Sequence, residues 1–199
     1  MFKSFLGLRE KTRRWGRCRG FGAVWESLDG GESVVRDTKD CSRFYIKTEK
    51  GILMTRDWRR FDKLGLGGKR TDGKIACDAK GRVLVCRGRT GDKRGLWRYD
   101  PSVSEKGWKR LTDEPLAHAC ATDPADARRI VICTYDAPYH DFAGGNGVSV
   151  SSDDGATWKR VDEGLPIRRT TCVAFDPFDS ETIVVGTSGG GFFRARWPR

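Results

Sequence analysis

The segment spanning residues 135–146 concentrates side chains that can do chemistry. It carries two carboxylates, two tyrosines and one of the two histidines in the chain of 199 residues. A carboxylate pair is what glycosidic cleavage uses, because one group donates a proton while the other acts as base or nucleophile. Aromatic rings, in turn, stack on the faces of sugars. We therefore predict ligand binding by this segment, with Tyr139 stacking and with polar contacts from Asp136, His140 and Asp141.

Cleavage would need the carboxylates to differ in pKa, so that one stays protonated while another is ionised. Asp136 and Asp141 are accordingly the candidate catalytic residues. The alternative is a self-packed loop, in which the aspartates and the histidine bond their own backbone. Both interpretations fit the composition of the segment.

Two further segments, at residues 87–94 and 168–169, are rich in arginine. A positive surface attracts acidic glycans, phosphate groups or acidic patches on proteins. We therefore add Arg89 and Arg168 to the candidate ligand-binding residues.

The net charge is +11, from 38 Lys and Arg against 27 Asp and Glu. Seven basic residues fall within positions 1–20, against the single acidic Glu10. Such a basic arm is typical of a solvated tail or of nucleic-acid binding. The chain carries no recognised nucleic-acid module, so nucleic-acid binding is the second alternative function.

Seven cysteines are present without a CxxC pair, which favours thiols that act as small apolar side chains. We expect no metal site, no cofactor and no disulfide framework. No run of about 18 apolar residues occurs, so we expect no membrane span. The sequence as it stands shows no export signal, which is typical of a cytoplasmic protein, but the location stays open.

The sequence also contains a repeat, and the fold that it predicts would position the candidate ligand-binding segments. Trp58, Trp108 and Trp158 stand at equal spacing, and each precedes two basic residues. Each unit predicts four short strands, the first of which ends at an aspartate: Asp37, Asp78, Asp123 or Asp176. Four strands in about 40–50 residues are typical of a β-propeller blade. A β-sandwich is the alternative.

We predict an all-β fold, a small or partial β-propeller of about four four-stranded antiparallel blades. A basic segment at residues 1–26 would precede a propeller domain at 27–199, with blades near 34–60, 61–110, 111–160 and 161–199. The last unit stops after its third strand. In a propeller, loops between the second and third strands share one face with the connections between blades, and this face would carry residues 135–146.

One turn carries a complete motif, Ser-x-Asp-x-Gly-x-Thr-Trp, formed by Ser151, Asp153, Gly155, Thr157 and Trp158. The Asp153 carboxylate can accept backbone N–H groups of its own turn, and Gly155 supplies a conformation that other residues avoid. A second copy has Ser27, Asp29 and Gly31, with Val34 at the tryptophan position.

The motif resembles the Asp-box, or bacterial neuraminidase repeat, of a β-propeller group that includes sialidases, xyloglucanase-like glycosidases and sortilin-type receptors. The resemblance covers residues 27–199 and implies that the Asp-box residues are structural, on the face away from the ligand. Sialidases also carry an Arg-Ile-Pro motif, whereas this chain has the reverse order at residues 166–168. Members of the group are often secreted, so the resemblance leaves the location open.

Most members of the group have more blades than the four units visible here. Either an N-terminal strand within residues 5–34 closes the ring of a small propeller, or the chain is the C-terminal portion of a larger propeller whose open blade edges another chain would cover. The resemblance implies a sialidase-like propeller that binds a glycan or a glycan-bearing partner, with a glycosidase-type hydrolase as its catalytic form. The first alternative is a non-catalytic protein-interaction scaffold.

Overall fold

The computed structural model describes residues 31–67, 73–88, 93–103, 107–135 and 147–198, together with the backbone of two strands before them. Those two strands, β1 (Gly16–Gly20) and β2 (Ala23–Ser27), form an antiparallel hairpin. No described residue lies in a helix. The all-β prediction is confirmed.

Four antiparallel sheets follow the hairpin. Sheet I contains β3 (Gly31–Arg36), β4 (Phe44–Thr48), β5 (Gly51–Thr55) and β6 (Asp62–Gly65). Sheet II contains β7 (Ile75–Cys77), β8 (Val83–Arg87), β9 (Gly95–Tyr99) and β10 (Trp108–Thr112). Sheet III contains β11 (Ala117–Thr122), β12 (Ile130–Thr134), β13 (Val148–Ser151) and β14 (Lys159–Arg160). Sheet IV contains β15 (Thr170–Phe175), β16 (Thr182–Thr187) and β17 (Gly191–Arg196).

Within each sheet the strands pair in chain order. The first strands of successive sheets contact one another, β3 with β7, β7 with β11, and β11 with β15. Each sheet is therefore a blade with its first strand innermost, and the fold is a partial β-propeller.

The four predicted aspartate turns share one geometry. Each carboxylate accepts the backbone N–H two residues later, at 2.8–2.9 Å, from Lys39, Lys80, Ala125 and Phe178. This local bond turns the chain from the first strand into the second without help from the rest of the fold.

The apolar core of the described residues lies between the sheets. A first cluster, with Tyr45 and Val85, joins sheets I and II. A second, with Leu84 and Ile132, joins sheets II and III. A third, with Val131 and Ile183, joins sheets III and IV. Apolar residues on both faces of β8 and β12 therefore serve two clusters each, as expected for strands buried on both sides.

The repeated tryptophans tie neighbouring sheets together. The Trp108 indole N–H donates to the Leu64 carbonyl of β6 at 2.6 Å, and that of Trp158 donates to the Leu111 carbonyl of β10 at 3.2 Å. Trp58 differs from the expectation of a fourth-strand position. It lies in the turn before β6 with a φ of 58°, because Thr55 accepts its backbone N–H at 2.9 Å.

Candidate functional site

The two ends of the β12–β13 hairpin lie on opposite faces of the propeller. Ile130 pairs with Ser151 at one end, and Cys133 pairs with Val148 at the other. The turn at residues 151–158 therefore lies on one face, while residues 134–147 lie on the other. We call the second the loop face, which also carries the connections between sheets.

The 151–158 turn is closed by its own side chains. Asp153 accepts the Thr157 backbone N–H at 2.8 Å and its hydroxyl at 2.6 Å, while the Ser151 hydroxyl donates to Asp153 at 2.7 Å. These donors lower the pKa of the Asp153 carboxyl to about 2. Gly155 has a φ of 84°, in the left-handed region that favours glycine. All the donors on Asp153 come from its own turn, as expected for a structural residue.

The second proposed motif lies in a different connection. Ser27 ends β2, and Gly31 begins β3, where it pairs with Thr48. The segment thus joins the first hairpin to sheet I, whereas residues 151–158 join two strands of one sheet. Asp29 lies outside the described residues.

Most of the predicted ligand-binding residues also lie outside the described part of the chain, namely Arg89, Asp136, Tyr139, His140 and Asp141. The structure does describe both ends of their longest segment. The Thr134 backbone N–H and hydroxyl both donate to the Gly147 carbonyl, at 3.1 and 2.9 Å. The segment therefore starts and ends at one fixed point on the loop face.

Four residues from three sheets stand at neighbouring strand ends beside that point, and we call them the inner cluster: Lys74, His118, Tyr135 and Arg169. The His118 and Tyr135 ring centroids are 5.0 Å apart, and the Arg169 guanidinium carbon lies 6.0 Å from the Tyr135 ring centroid. The Lys74 ammonium donates to the Thr171 carbonyl at 3.1 Å. The cluster combines two aromatic rings with two cations.

Hydrogen bonds within sheet III and between neighbouring sheets hold these residues in place. The Lys74 N–H donates to the His118 carbonyl at 2.6 Å, and the Tyr135 N–H donates to the Leu116 carbonyl at 3.1 Å. The buried Thr170 hydroxyl donates to the Thr134 carbonyl at 2.8 Å. The inner cluster is thus built on strand ends, which position side chains more rigidly than long loops do.

Arg168 lies next to this cluster but is already engaged. Its guanidinium lies 3.2 Å from the carboxylate of Asp162, which also binds Arg160 at 2.7 Å. The hydrogen bond to Asp162 raises the pKa of the Arg160 guanidinium. Asp162 is only 9% exposed in its side chain and packs against Gly147. Arg168 therefore neutralises a buried carboxylate at the base of the loop, and its remaining exposure of 57% leaves one side open to a ligand.

The basic segment at 87–94 has a structural anchor. Arg87 is 5% exposed and donates to the Leu66 carbonyl, and burial lowers the pKa of its guanidinium. Lys93 donates to the Gly67 carbonyl at 3.3 Å. Arg87 and Lys93 belong to the segment that was predicted to attract a ligand, but their hydrogen bonds hold the connection between sheets I and II in place.

Sequence reasoning missed Lys74 and His118 as site residues. The only available signal was a polar residue at the start of an otherwise apolar first strand. It also did not reveal the pocket of about 210 Å³ beside the 151–158 turn, which is lined by Val150, Ser152, Asp153, Thr157, Lys159 and Pro198. This pocket lies on the face opposite the inner cluster.

No family model matches the sequence, and no curated protein matches it. Solved structures match in fold. The GH74 xyloglucanase from Xanthomonas campestris is 18% identical with a TM-score of 0.65, over 90% of this chain and 30% of that one. The GH74 enzyme from Niastella koreensis is 19% identical with a TM-score of 0.63, over 87% and 30%. An auxiliary nutrient binding protein from Bacteroides ovatus is 12% identical with a TM-score of 0.65, over 88% and 40%.

At these identities the likeness shows the fold alone, a propeller-like arrangement of antiparallel sheets. The chain spans about a third of the length of these GH74 enzymes. Among the described residues, none forms a helix with the length and apolar character needed to cross a membrane.

Proposed function

We propose that this chain binds a glycan on its loop face, at the inner cluster and the adjoining 136–146 segment. The observation that carries the proposal is the meeting of His118, Tyr135 and Arg169 at the base of the longest loop. Aromatic faces stack on sugar rings, and cations beside them bind carboxylate or sulfate substituents. Among the fold neighbours, the GH74 xyloglucanase supports a carbohydrate ligand by analogy.

The charge of the site favours acidic sugars over neutral ones. The Lys74 ammonium has no carboxylate of a described residue within 4 Å, and Arg168 keeps more than half of its side chain exposed. A glycan with carboxylate or sulfate groups would therefore gain charge-assisted hydrogen bonds that a neutral glycan lacks. We expect its binding to weaken as salt increases.

Cleavage is a separate proposal. It would require two carboxylates at the bound sugar, and Asp136 and Asp141 are the candidates. A reducing-sugar assay on each glycan that binds would test this, with Asp136→Asn and Asp141→Asn as the variants. Binding without turnover would define a carbohydrate-binding module, and the same binding assay would still apply.

The decisive experiment is a glycan array of neutral, uronate-bearing and sulfated oligosaccharides, followed by calorimetry on the ligands that bind. We expect Tyr135→Ala, and the double variant Tyr139→Ala with Asp141→Asn, to weaken binding by about tenfold or more. Phe178→Ala is the matched control, because Phe178 is 97% exposed in a turn on the opposite face. Binding that survives in both loop-face variants, with unchanged melting temperatures, would exclude the site.

A further inference from the structure

Sheet IV ends differently from the other three sheets. Sheets I, II and III each have a fourth strand outside the third, whereas β17 is the outermost strand of sheet IV in the part of the chain that the structure describes. Its side chains are open to solvent, with Phe192 77% exposed and Arg196 75% exposed.

The pairing with β16 shows which backbone groups face outward. The Trp197 N–H donates to the Glu181 carbonyl at 2.7 Å, and the register continues through Ala195 with Ile183 and Phe193 with Val185. In an antiparallel pair, hydrogen-bonded residues alternate with residues whose N–H and C=O point away. The outward groups therefore belong to Phe192, Arg194 and Arg196.

Sheet III shows how the outer edge of a third strand is paired when a fourth strand is present. Val148 pairs with Cys133 on one side, and its carbonyl accepts the Val161 N–H at 2.9 Å on the other. Phe192 has the position in sheet IV that Val148 has in sheet III, since it pairs with Gly186 on β16. The edge of β17 thus has the form of a strand-binding surface.

We propose that the edge of β17 binds an extended segment of another polypeptide that carries acidic side chains. The segment would pair antiparallel with β17 and add a fourth strand to sheet IV. Arg194 favours acidic side chains in the partner segment, because it is exposed and no carboxylate of a described residue lies within 4 Å of it. An opposite charge directly across a strand pair stabilises the pair.

The same charge disfavours two other occupants. In two β17 strands paired about Arg194, that arginine would face its own copy, and like charges directly opposite destabilise a strand pair. The chain's own residues 1–20 carry seven basic residues against one glutamate, and the acidic Glu26 lies on β2, which pairs with β1 in a separate sheet and not with β17. Both occupants would bring positive charge to Arg194 and Arg196. Arg196 is already paired with Asp179 at 2.9 Å, so the preference for an acidic partner strand comes from Arg194.

The probe is a fluorescent peptide of alternating valine and glutamate, capped at both ends, titrated into the full chain and followed by anisotropy. Its glutamates would lie opposite Phe192, Arg194 and Arg196, so their N–H groups would bond to β17. We expect N-methylation of the glutamates to weaken binding about tenfold or more, and N-methylation of the valines to leave it unchanged. The matched peptide with lysine in place of glutamate should bind at least about tenfold more weakly than the glutamate peptide.

Two variants separate charge from strand pairing. Arg194→Gln removes the charge and keeps the N–H, while Arg194→Pro also removes an N–H that β16 does not use. Binding should weaken with Arg194→Gln and weaken further with Arg194→Pro, at melting temperatures close to that of the wild type. Equal binding by both variants, or by the glutamate and lysine peptides, would overturn the proposal.

Hydrogen exchange of the Arg194 amide supplies a second measurement on the unmodified chain. It should exchange rapidly in the free protein and slow when the glutamate peptide is added. Protection without peptide would mean that the chain or a second copy already covers the edge. Sedimentation would then tell a dimer from a monomer, and either result would refute an acidic partner strand.

Discussion

The guanidinium of Arg82, in the first turn of sheet II, donates to the carboxylate of Asp154, in the 151–158 turn of sheet III, at 2.8 Å. Its Nε also donates to Asp78 of its own turn at 2.6 Å. One arginine therefore closes a turn and joins two sheets. Arg129 does the same between sheets III and IV, where it binds Asp123 at 2.8 Å and lies 4.4 Å from the Trp197 ring centroid.

Replacing Arg82 should destabilise the protein strongly. The side chains of Arg82 and Asp78 are 7% and 0% exposed, so Arg82→Met would leave a buried carboxylate without its cation. We expect a loss of about 3–5 kcal/mol in the free energy of unfolding, measured by urea denaturation. Arg128→Met is the matched control, since Arg128 is 65% exposed and pairs with Asp126 on the surface. Equal losses for the two variants would contradict this account.

Asp153 should contribute stability that disappears in acid. Its folded pKa of about 2 lies below its ordinary value of 3.8, so its contribution is complete above about pH 4 and is lost as the pH falls towards 2. We expect Asp153→Asn to melt a few degrees below the wild type at pH 6, and the difference to close between pH 4 and pH 2. A difference that stays constant over this range would show that the carboxylate is not ionised in the turn.

Two glycines with similar backbone angles should respond differently to alanine. Gly155 and Gly164 have φ values of 84° and 77°. A Cβ on Gly155 would lie 2.9 Å from the Leu111 side chain, whereas a Cβ on Gly164 would meet nothing within 4 Å. We expect Gly164→Ala to cost about 1–2 kcal/mol from the left-handed backbone alone. Gly155→Ala should cost about 1–3 kcal/mol more from overpacking, as chemical denaturation of both variants would show.

The thiols should differ in reactivity at pH 8. Burial raises the pKa of Cys133 to about 12 and also raises the pKa of Cys86, so both remain protonated and inaccessible. Cys41 is exposed. Iodoacetamide should therefore modify Cys41 within minutes in the native protein and leave Cys86 and Cys133 unmodified, as peptide mass spectrometry would report. Rapid modification of Cys133 would mean that sheet III opens readily.

The fold was predictable because its signals are local. Asp37 and its three counterparts bond their own turns, and the 151–158 turn closes on its own side chains, so short sequence windows suffice. That sheet IV stops after its third strand was predictable for the same reason. The inner cluster was not, because the Lys74 side chain reaches the Thr171 carbonyl, 97 positions away, only when three first strands pack together. Nor does any local pattern show that Arg168 binds the buried Asp162.

The placement of the core between sheets has a consequence for how the molecule comes apart. No described sheet encloses apolar residues by itself, so each layer is stable only against its neighbour. Stability then becomes a sum of nearest-neighbour terms, as in linear repeat arrays. Among the described residues, sheet IV has one apolar interface, centred on Phe175, Ile183 and Trp197. We therefore expect sheet IV to detach from sheet III while the clusters around Leu84 and Tyr45 stay intact, so that unfolding passes through a partly folded array.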